Sequence, residues 1–474
     1  MNADIPLCVS CEHALLKTNV FHEALCLLVK SSPLRIFTLP ISLLRGRAAL
    51  LQQVSDGIRI NWRTVPLREQ VTERMQAAHA ANRQVFLLTS LPVKWARELC
   101  AELVFSKPGF ISDPPPEGAA GTTESHLTRL FGERGFDYIG DGRRDLRICQ
   151  SARRALIVTS DRMVIAQANR NPAAEGVIPR ERAGLGSFLR MIRVHQWLKN
   201  LLILVPLLAA HRLTSLSSIA LAAVGFMAFS CCASSVYVLN DLLDVESDRQ
   251  HDRKQNRPIA AGQVSVAQAL LVSLLLLVIA AALALRVSVP FALTVGIYFL
   301  MTSVYSLRLK QQVIVDVMLL AGLYTIRVLA GAVATAVIPS FWLLAFSMFL
   351  FLSLAVVKRY SEMLVTLSQD KRYASGRGYS VADLPVLLSL GVSAGIAAIV
   401  VLALYINDPS TNKLYPSTLW LWPVPPLMLY WISRVWMKAH RGEMHDDPVV
   451  FAMRDWQSLV TAVLGGLCFA AAAT

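Results

Sequence analysis

The sequence predicts two modules: a soluble α/β domain with a doubly wound sheet, followed by an all-α polytopic membrane bundle of about nine transmembrane helices. Residues 1–170 alternate short apolar segments with helical patterns, whereas residues 191–474 are dominated by long apolar runs. Between them, residues 171–190 contain proline, glycine and charges without an apolar period, which is typical of a linker. With 474 residues and 54% hydrophobic content, the chain exceeds one ordinary soluble core.

The α/β prediction rests on short apolar segments that are separated by helical patterns. The expected strands are residues 5–9, 85–88, 138–139 and 155–158, and the expected helices include residues 67–81 and 93–103. The first residues lack a basic region and a continuous apolar core, so we expect no cleaved secretory signal and a cytosolic N-terminal module. The eight cysteines are scattered over both modules, which indicates packing residues rather than a disulfide framework.

The bundle prediction rests on nine apolar stretches, most of them close to the roughly 20 residues that cross a bilayer core. They are residues 197–210, 217–239, 266–285, 290–307, 314–337, 342–357, 385–406, 419–435 and 459–474. Basic residues concentrate after the second, fourth, sixth and eighth stretches, so we expect these loops to face the cytosol of a bacterial cytoplasmic membrane. The net charge of +14 therefore indicates membrane orientation and no nucleic-acid partner, since no basic stripe is interleaved with exposed aromatics.

A cluster of polar residues follows the second apolar stretch. It consists of Asn240, Asp241, Asp244 and Asp248, and in a continued helix the three aspartates would share one face. Carboxylates held this close repel one another unless a cation lies between them. Hard oxygen ligands suit Mg²⁺, which shares its coordination shell with substrate phosphates. The sequence therefore predicts a Mg²⁺-dependent diphosphate site at the cytosolic edge of the membrane.

Basic side chains lie on both sides of this cluster in the sequence. Lys254 and Arg257 follow it, and we expect them to hold diphosphate oxygens that are not bound by metal. Lys199 and Asn200 precede it, next to Trp197 at the start of the first apolar stretch. Two interpretations of this earlier segment stay open. It is either an interfacial anchor, since tryptophan and cations flank membrane spans, or a phosphate contact at the membrane mouth.

A second polar group lies between the fourth and fifth apolar stretches. Tyr305 and Lys310 precede Asp316, which we interpret as a second metal ligand, and Tyr324 and Arg327 follow within an apolar stretch. The eleven residues from Asp316 to Arg327 span nearly three helical turns, so the two side chains share a face. A charge at this depth normally points into the bundle or a wet cavity. For Arg327, the interpretations that stay open are substrate binding, snorkelling toward the interface, and a structural ion pair.

These motifs together resemble the UbiA superfamily of intramembrane prenyltransferases. The resemblance covers the second half of the chain and rests on Asn-Asp-x-x-Asp-x-x-x-Asp from residue 240, Lys-x-x-Arg-Pro-Ile from residue 254, and Tyr-Ser-x-x-Leu-Lys from residue 305. In that family, aspartate-rich motifs bind Mg²⁺ and a diphosphate donor, and a group passes to an acceptor as diphosphate leaves.

The residues and the resemblance together give three sets of site residues. The metal ligands are Asp241, Asp244, Asp248 and Asp316. The catalytic set is Asp241, Asp244, Lys254 and Lys310. The substrate-binding set is Asn240, Arg257, Tyr305, Tyr324, Arg327, Lys199 and Lys358.

The chain departs from the usual second aspartate motif, because Leu320 stands four residues after Asp316. This departure, with Arg-x-x-Gln-Trp-x-Lys-Asn at 193–200 and Leu-Tyr-x-x-Arg-x-x-Ala-Gly at 323–331, resembles the branch that contains decaprenyl-phosphate phosphoribosyltransferase. In that branch the donor is phosphoribosyl diphosphate and the acceptor is a polyprenyl phosphate. The donor's 5-phosphate needs further cations, for which Lys358, Arg359, Lys371, Arg372 and Arg377 are candidates, although membrane orientation also explains them.

The segment Asp446-Asp447-Pro448, before the last apolar stretch, also resembles that branch. The residue after Asp455 departs from it, since Trp456 stands where arginine is usual.

The N-terminal module resembles HAD phosphatases at two strand ends, in the segment 85–90 and around Asp141 and Asp145. The first motif of those enzymes, Asp-x-Asp-x-Thr, is expected after the first strand, where this chain has Ser10 and Glu12. A neutral hydroxyl cannot form an aspartyl-phosphate intermediate, so we predict a pseudo-enzyme that docks, regulates or shapes the cytosolic mouth. A structural Mg²⁺ at the remaining aspartates is the alternative.

Three other functions stay open from the sequence. A transferase from a prenyl diphosphate to an aromatic acceptor would use the same motifs. A transporter also places charges such as Arg327 within the membrane, but internal repeats with broken helices are not found. A membrane-anchored phosphatase is opposed by the damaged first motif. The donor, the lipid length and the oligomeric state are not fixed by the sequence.

Overall fold

The chain forms two compact units. The computed structural model describes residues 5–32, 35, 38–113, 122–141, 145–170, 172–181, 183–211, 215–369, 378–409, 411–444 and 447–473. The first unit comprises Met1–Ile192 and Tyr237–Ser273, and the second comprises Arg193–Val236 and Leu274–Thr474. The loop that holds the first acidic motif therefore belongs to the same unit as the N-terminal domain.

The N-terminal domain is built on a parallel sheet with the strand order β3-β2-β1-β4-β5-β6. The strands are β1 (Leu7–Ser10), β2 (Val85–Thr89), β3 (Gly109–Ser112), β4 (Asp137–Gly140), β5 (Arg154–Thr159) and β6 (Ala174–Pro179). This order reverses direction at β1 and is the one found in doubly wound α/β folds. The predicted parallel α/β domain is confirmed, and its similarity to HAD proteins stays a prediction.

The two strands that the sequence did not predict, β3 and β6, are the edges of the sheet. The central strands β1 and β4 are buried along their whole length, whereas β3 and β6 are largely half-buried or exposed. Edge strands face solvent on one side and lack a continuous apolar run. The segment 171–190, which was predicted to be a linker, contains β6 and most of a short helix, Leu185–Met191. The edge position of β6 explains why its sequence did not indicate a strand.

The N-terminal domain has nine α-helices in its described residues. They are α1 (Val20–Ser31), α2 (Leu39–Leu44), α3 (Arg47–Gly57), α4 (Glu69–Ala80), α5 (Val93–Glu102), α6 (Thr123–Phe131), α7 (Leu146–Ser151), α8 (Arg162–Ala168) and α9 (Leu185–Met191). Of these, α4 and α5 begin and end close to the two predicted ranges, 67–81 and 93–103. The N-terminus of α1 is capped by Asn19, whose side chain accepts a hydrogen bond of 3.1 Å from the backbone of His22. Residues 11–15 form one turn of π-helix directly after β1.

The remaining helices are mostly long and apolar. They are α10 (Val205–Ala209), α11 (Leu216–Leu243), α12 (Val245–Arg249), α13 (Val266–Val287), α14 (Val289–Leu307), α15 (Val315–Ala334), α16 (Phe341–Ser368), α17 (Leu384–Ile406), α18 (Thr411–Leu414), α19 (Val424–His440), α20 (Pro448–Arg454) and α21 (Trp456–Ala473). Seven of the described helices have the length and composition to cross a membrane: α11, α13, α14, α15, α16, α17 and α21.

The structure thus gives seven candidate spans where the sequence predicted about nine. The first predicted span, 197–210, is a 3-10 segment over Val194–Leu204 that continues into the five-residue α10. The eighth, 419–435, corresponds to α19, which has 17 residues and carries Arg434. The first prediction counted apolar residues across Lys199 and Asn200, which are buried in irregular backbone, and the eighth counted residues that precede a helix too short for a span.

Close backbone packing fixes the first of these segments against α15. A Cβ atom at Gly331 would lie 2.0 Å from the carbonyl oxygen of Ile203, so only glycine permits this approach. The contact brings the 3-10 segment with Lys199 and Asn200 against the helix that carries Tyr324 and Arg327.

Candidate active site

The first acidic motif lies where α11 ends and the short helix α12 begins. Asp241 and Asp248 are buried, and both accept a hydrogen bond from the same nitrogen of Arg257, at 3.0 and 2.6 Å. Two carboxylates seven residues apart therefore converge on one cationic atom. Asp244 stands at the break between the helices, with backbone angles of φ −102° and ψ 10°, and pairs instead with Lys30.

Two further contacts join this motif to α1 of the N-terminal domain. Lys30 donates hydrogen bonds of 2.7 Å to the carboxylate of Asp244 and 2.9 Å to the carbonyl oxygen of Leu243. Arg249 donates two hydrogen bonds to Glu23, at 2.9 and 2.6 Å, and both side chains are only 6% exposed. The N-terminal domain thus contributes a lysine and a glutamate to the surroundings of the acidic motif.

The acidic motif offers oxygen ligands of the kind that Mg²⁺ prefers. Among the residues that the structure describes, no group of three or more His, Cys, Asp or Glu side chains is close enough to hold a metal ion. Asp241 and Asp248 form a smaller set, because their oxygens already converge on a cation at Arg257. Mg²⁺ is commonly held by one or two carboxylates together with substrate phosphates, so this pair fits the ion.

The second polar group of the sequence folds around Asp316. This residue is fully buried in the first turn of α15, and both of its carboxylate oxygens accept hydrogen bonds from Arg359 on α16. Tyr305, near the end of α14, donates a further bond of 2.7 Å, and Arg359 also donates to Tyr305. The cation beside Asp316 is therefore an arginine, where the sequence predicted that Asp316 is a metal ligand. Lys310 lies in a 3-10 turn before α15 and is half-buried.

A further carboxylate, that of Asp447, has a side chain only 8% exposed and was not among the predicted site residues. It accepts hydrogen bonds from Lys199 at 2.8 Å, Lys358 at 3.2 Å and the hydroxyl of Tyr324 at 2.8 Å. Burial alone would raise the pKa of Asp447, but the two ammonium groups and the hydrogen bonds outweigh it and hold the pKa well below its usual range. The structure therefore gathers three predicted substrate-binding residues around one carboxylate. The signal in the sequence was the Asp-Asp-Pro segment.

Arg327 points into the bundle and is held there by neutral acceptors and aromatic rings. Its guanidinium donates to the side chain of Asn200 at 2.9 Å and to the hydroxyl of Tyr298 at 3.1 Å. It also lies 5.4, 5.0 and 5.5 Å from the ring centres of Phe229, Tyr298 and Tyr324, distances at which cation–π attraction is significant. Buried arginine and asparagine thus form one polar network within the apolar bundle.

The remaining predicted residues lie outside these clusters or beyond the described residues. Lys254 is exposed in a 3-10 turn before Arg257, and Asn240 is half-buried in the last turn of α11. Lys371, Arg372 and Arg377, together with Asp446, fall outside the part of the chain that the structure describes.

The carboxyl ends of the central strands in the N-terminal domain carry the residues that resemble phosphatase motifs. One oxygen of Glu12 accepts hydrogen bonds from the hydroxyl of Thr89 at 3.1 Å, and from the backbone nitrogen and the hydroxyl of Ser90 at 2.7 and 2.9 Å. Such donors at the end of a strand are suited to an anion, and here they hold the chain's own carboxylate. Burial raises the pKa of Asp145, which accepts a bond of 2.9 Å from Tyr138.

Seven of the described helices have the length and composition of membrane spans, and the chain carries buried acidic and basic clusters, which together indicate an integral membrane protein. Residues 201–459 match the model of the UbiA prenyltransferase family, which is more than half of the chain. The chain therefore belongs to the UbiA prenyltransferase family.

Three relatives differ in how much of the chain they share. The protein y4nM of Sinorhizobium fredii is 32% identical over 464 residues, which cover 95% of this chain and 88% of the relative. Nodulation protein NoeC of Azorhizobium caulinodans is 35% identical over 288 residues, 60% of this chain and 92% of the relative. Decaprenyl-phosphate phosphoribosyltransferase of Mycobacterium tuberculosis is 36% identical over 195 residues, 40% of this chain and 65% of the relative.

Proposed function

We propose that this protein is a Mg²⁺-dependent transferase that moves a phosphoribosyl group from phosphoribosyl diphosphate to a polyprenyl phosphate, with release of diphosphate. Membership in the UbiA family supports the transferase class. The donor and acceptor are supported by the similarity to decaprenyl-phosphate phosphoribosyltransferase over 195 residues. The observation that carries the proposal is the convergence of Asp241 and Asp248 on one cation position, since a diphosphate site needs paired carboxylates at a metal.

Asp241 and Asp248 are the residues that we assign to the metal, and Asp244, which pairs with Lys30, is assigned to the surroundings of the diphosphate. When bound there, Mg²⁺ neutralises charge on the departing diphosphate. Arg257 is suited to exchange its carboxylate partners for diphosphate oxygens, because a guanidinium binds either anion through the same N–H groups. Asn240 and Lys254 supply further donors to the diphosphate. We assign no metal to Asp316, because Asp316 and its partner Arg359 are both fully buried, whereas the side chain of Arg257 is 28% exposed and can exchange its partners.

In this reaction, a phosphate oxygen of the acceptor forms a bond to the anomeric carbon of the donor. The bond from that carbon to the diphosphate oxygen breaks, and the electron pair leaves with the diphosphate. The acceptor phosphate is already ionised, so no general base is required. The work of the protein is to hold two anionic substrates together and to stabilise the leaving group electrostatically.

The cluster at Asp447 suits a phosphate monoester, a group that occurs in both proposed substrates. Lys199 and Lys358 place two ammonium groups within 3.2 Å of one carboxylate oxygen, and Tyr324 adds a hydroxyl. Ammonium groups and a hydroxyl are donors of the kind that bind a phosphate monoester. We propose that Asp447 keeps these donors charged and in place for the substrate phosphate. Lys310 and Tyr305 are assigned to the same substrate region by the family resemblance.

The decisive experiment compares two donors on the purified full chain in detergent with Mg²⁺ and a polyprenyl phosphate. Product from phosphoribosyl diphosphate, and none from a prenyl diphosphate, is the expected result. Asp241→Asn should lose that product, whereas Asp252→Asn, an exposed aspartate in the same loop, should retain it. Turnover of neither donor by a folded wild-type protein would contradict the proposal.

A prenyl diphosphate to aromatic acceptor transfer is the second candidate, and the description of the matched family favours it. It would use the same carboxylates and Arg257, but it has no second phosphate for the cluster at Asp447 to bind. Product from a prenyl diphosphate and an aromatic acceptor, with no use of phosphoribosyl diphosphate, would establish this alternative.

The N-terminal domain is proposed to have no phosphatase activity of its own. The carboxylate of Glu12 accepts the three hydrogen bonds at Thr89 and Ser90 that a substrate phosphate would need. Ser10 stands where a nucleophilic aspartate is required. The proposed role of the N-terminal domain is structural, through the contacts of Lys30 and Glu23 with the acidic motif and its loop.

A further inference from the structure

The helix α2 of the N-terminal domain exposes three large apolar side chains within four positions. Ile41, Leu43 and Leu44 are 54, 59 and 89% exposed, and no residue of α2 is buried. Single exposed apolar residues are ordinary on protein surfaces, but a contiguous group marks an interaction site. Ile41 and Leu44 are three residues apart and therefore lie on the same side of the helix.

This apolar group is held in a defined position by polar contacts with the next helix. The side chain of Gln53 on α3 donates a hydrogen bond of 2.8 Å to Thr38 and accepts one from Ser42. Leu39 packs against the core of the domain, so α2 has an inner and an outer side. Gly46, with φ of 108°, forms the tight connection between α2 and α3. The exposure of Ile41, Leu43 and Leu44 is thus built into a helical hairpin.

The end of a membrane-spanning helix contacts α1, the helix that precedes this hairpin in the chain. Lys30, in the last turn of α1, bonds to Leu243 and Asp244 at the end of α11. α11 has 28 residues and is about 42 Å long, which exceeds the roughly 30 Å hydrocarbon core, so its polar last turn reaches the headgroup region. Seven residues separate α1 from α2, so the start of α2 lies within about 30 Å of that region.

The charges around α2 favour an anionic surface. Arg35 precedes the helix and Arg45 follows it, and both are exposed. Apolar side chains flanked by arginines are the composition of segments that lie in the membrane interface, where the apolar groups enter the acyl boundary and the cations meet lipid phosphates. Exposed leucines without such neighbours would fit a protein partner equally well.

We infer that α2 is an interfacial membrane anchor: Ile41, Leu43 and Leu44 insert into the leaflet on the side of the acidic motif, and Arg35 and Arg45 bind its anionic phospholipids. The N-terminal domain is then attached to the bilayer at a point of its own, besides its covalent connection to the bundle. This attachment does not depend on which donor the transferase uses.

The test measures the depth of α2 in the full chain reconstituted in nanodiscs. A nitroxide label is placed at Leu44→Cys, in a background where the half-buried Cys26, Cys100 and Cys468 are serine. The matched label is at Gln76→Cys, on the exposed polar side of α4 in the same domain. The label at position 44 should collide more with oxygen, which concentrates in lipid, and the label at 76 more with a water-soluble nickel chelate.

A second arm tests the charge contribution. Arg45→Glu should move the label at position 44 toward water in nanodiscs that contain phosphatidylglycerol, with a smaller change in pure phosphatidylcholine. Equal nickel accessibility at positions 44 and 76 in both lipids would overturn the inference. Dipolar broadening between labels at position 44 would also overturn it, because it would show that a second copy of the chain covers α2.

Discussion

Lys30 of the N-terminal domain donates a hydrogen bond of 2.7 Å to the carboxylate of Asp244, a residue of the first acidic motif 214 positions later in the chain. Close by, Glu23 of the same helix binds Arg249 through two hydrogen bonds. The domain and the motif therefore form one compact unit. The relative that covers 95% of this chain shares both parts, whereas NoeC aligns with only 60% of it.

Glu23→Gln should destabilise this unit by about 3 kcal/mol, because it leaves the guanidinium of Arg249 buried without its carboxylate. The measurement is urea unfolding in detergent, followed by tryptophan fluorescence. The matched control is Glu181→Gln, since the pair of Glu181 with Lys17 is 3.8 Å long and exposed and should contribute less than about 0.5 kcal/mol. Equal stability losses in both variants would contradict this prediction.

Asp241→Asn and Asp248→Asn should each lower kcat/KM by about 100-fold or more, since each removes a charge that holds the cation position at the leaving group. The unfolding transition should change little, because Arg257 is partly solvated and keeps one carboxylate partner. Asp252→Asn in the same loop is the control. Full activity in either cluster variant would remove these carboxylates from the proposed site.

Asp447→Asn should raise the KM for the phosphate-bearing substrate about 10-fold, with a smaller effect on kcat, because one good charge-assisted contact is worth about 1.4 kcal/mol. The mutation leaves Lys199 and Lys358 near each other without the carboxylate that separates their charges. Asp447→Glu should restore part of the affinity. An equal loss of kcat and kcat/KM would instead indicate a role in the transition state.

The low pKa of Asp447 also predicts how this cluster responds to acid. Its depressed pKa contributes stability that is present above the ordinary carboxyl pKa of about 4 and is lost as the pH falls through the lower, folded value. The ion pairs with both lysines should therefore persist across the usual assay range. A pH profile of substrate KM between pH 5 and pH 8 that is the same for wild type and Asp447→Glu is the expected result; a loss of affinity near pH 5 in wild type alone would contradict it.

For Asp145 in the N-terminal domain, we expect the opposite dependence of folding stability on pH. Burial raises its pKa, so the folded domain favours the protonated form, and the stability gained from that form is lost as the pH rises through the raised pKa. The free energy of unfolding in urea is measured against pH for the wild type and for Asp145→Asn. The difference between the two should fall as the pH rises just above 4. A difference that is flat with pH would show that burial does not perturb this carboxyl.

Ser10→Ala should leave transferase activity within about twofold of wild type, because a hydroxyl at this position cannot serve as a phosphatase nucleophile. Because Ser10 is buried, the circular dichroism spectrum and the unfolding midpoint of the Ser10→Ala protein are recorded alongside its activity. A strong loss of activity in a folded Ser10→Ala protein would contradict the pseudo-enzyme interpretation.

The sequence determined the two-part architecture, because long apolar runs and alternating short segments are local properties of the chain. It likewise located Asp241, Asp248 and Arg257 within one short segment, so their contact depends on a single loop. It failed where the signal is not local. The edge strands β3 and β6 lack a continuous apolar run, and the segment 197–210 has the composition of a span but buries Lys199 and Asn200 in irregular backbone.

Only the tertiary structure decided which charges are partners. Asp316 meets Arg359, 43 residues later, and Asp447 meets Lys199, 248 residues earlier, because helix packing brings distant positions together. Lys30 and Glu23 reach the acidic motif for the same reason. A buried charge must find a partner to offset its desolvation, but the sequence states only that the charge exists. Which residue becomes that partner is set by the packing of the surrounding helices.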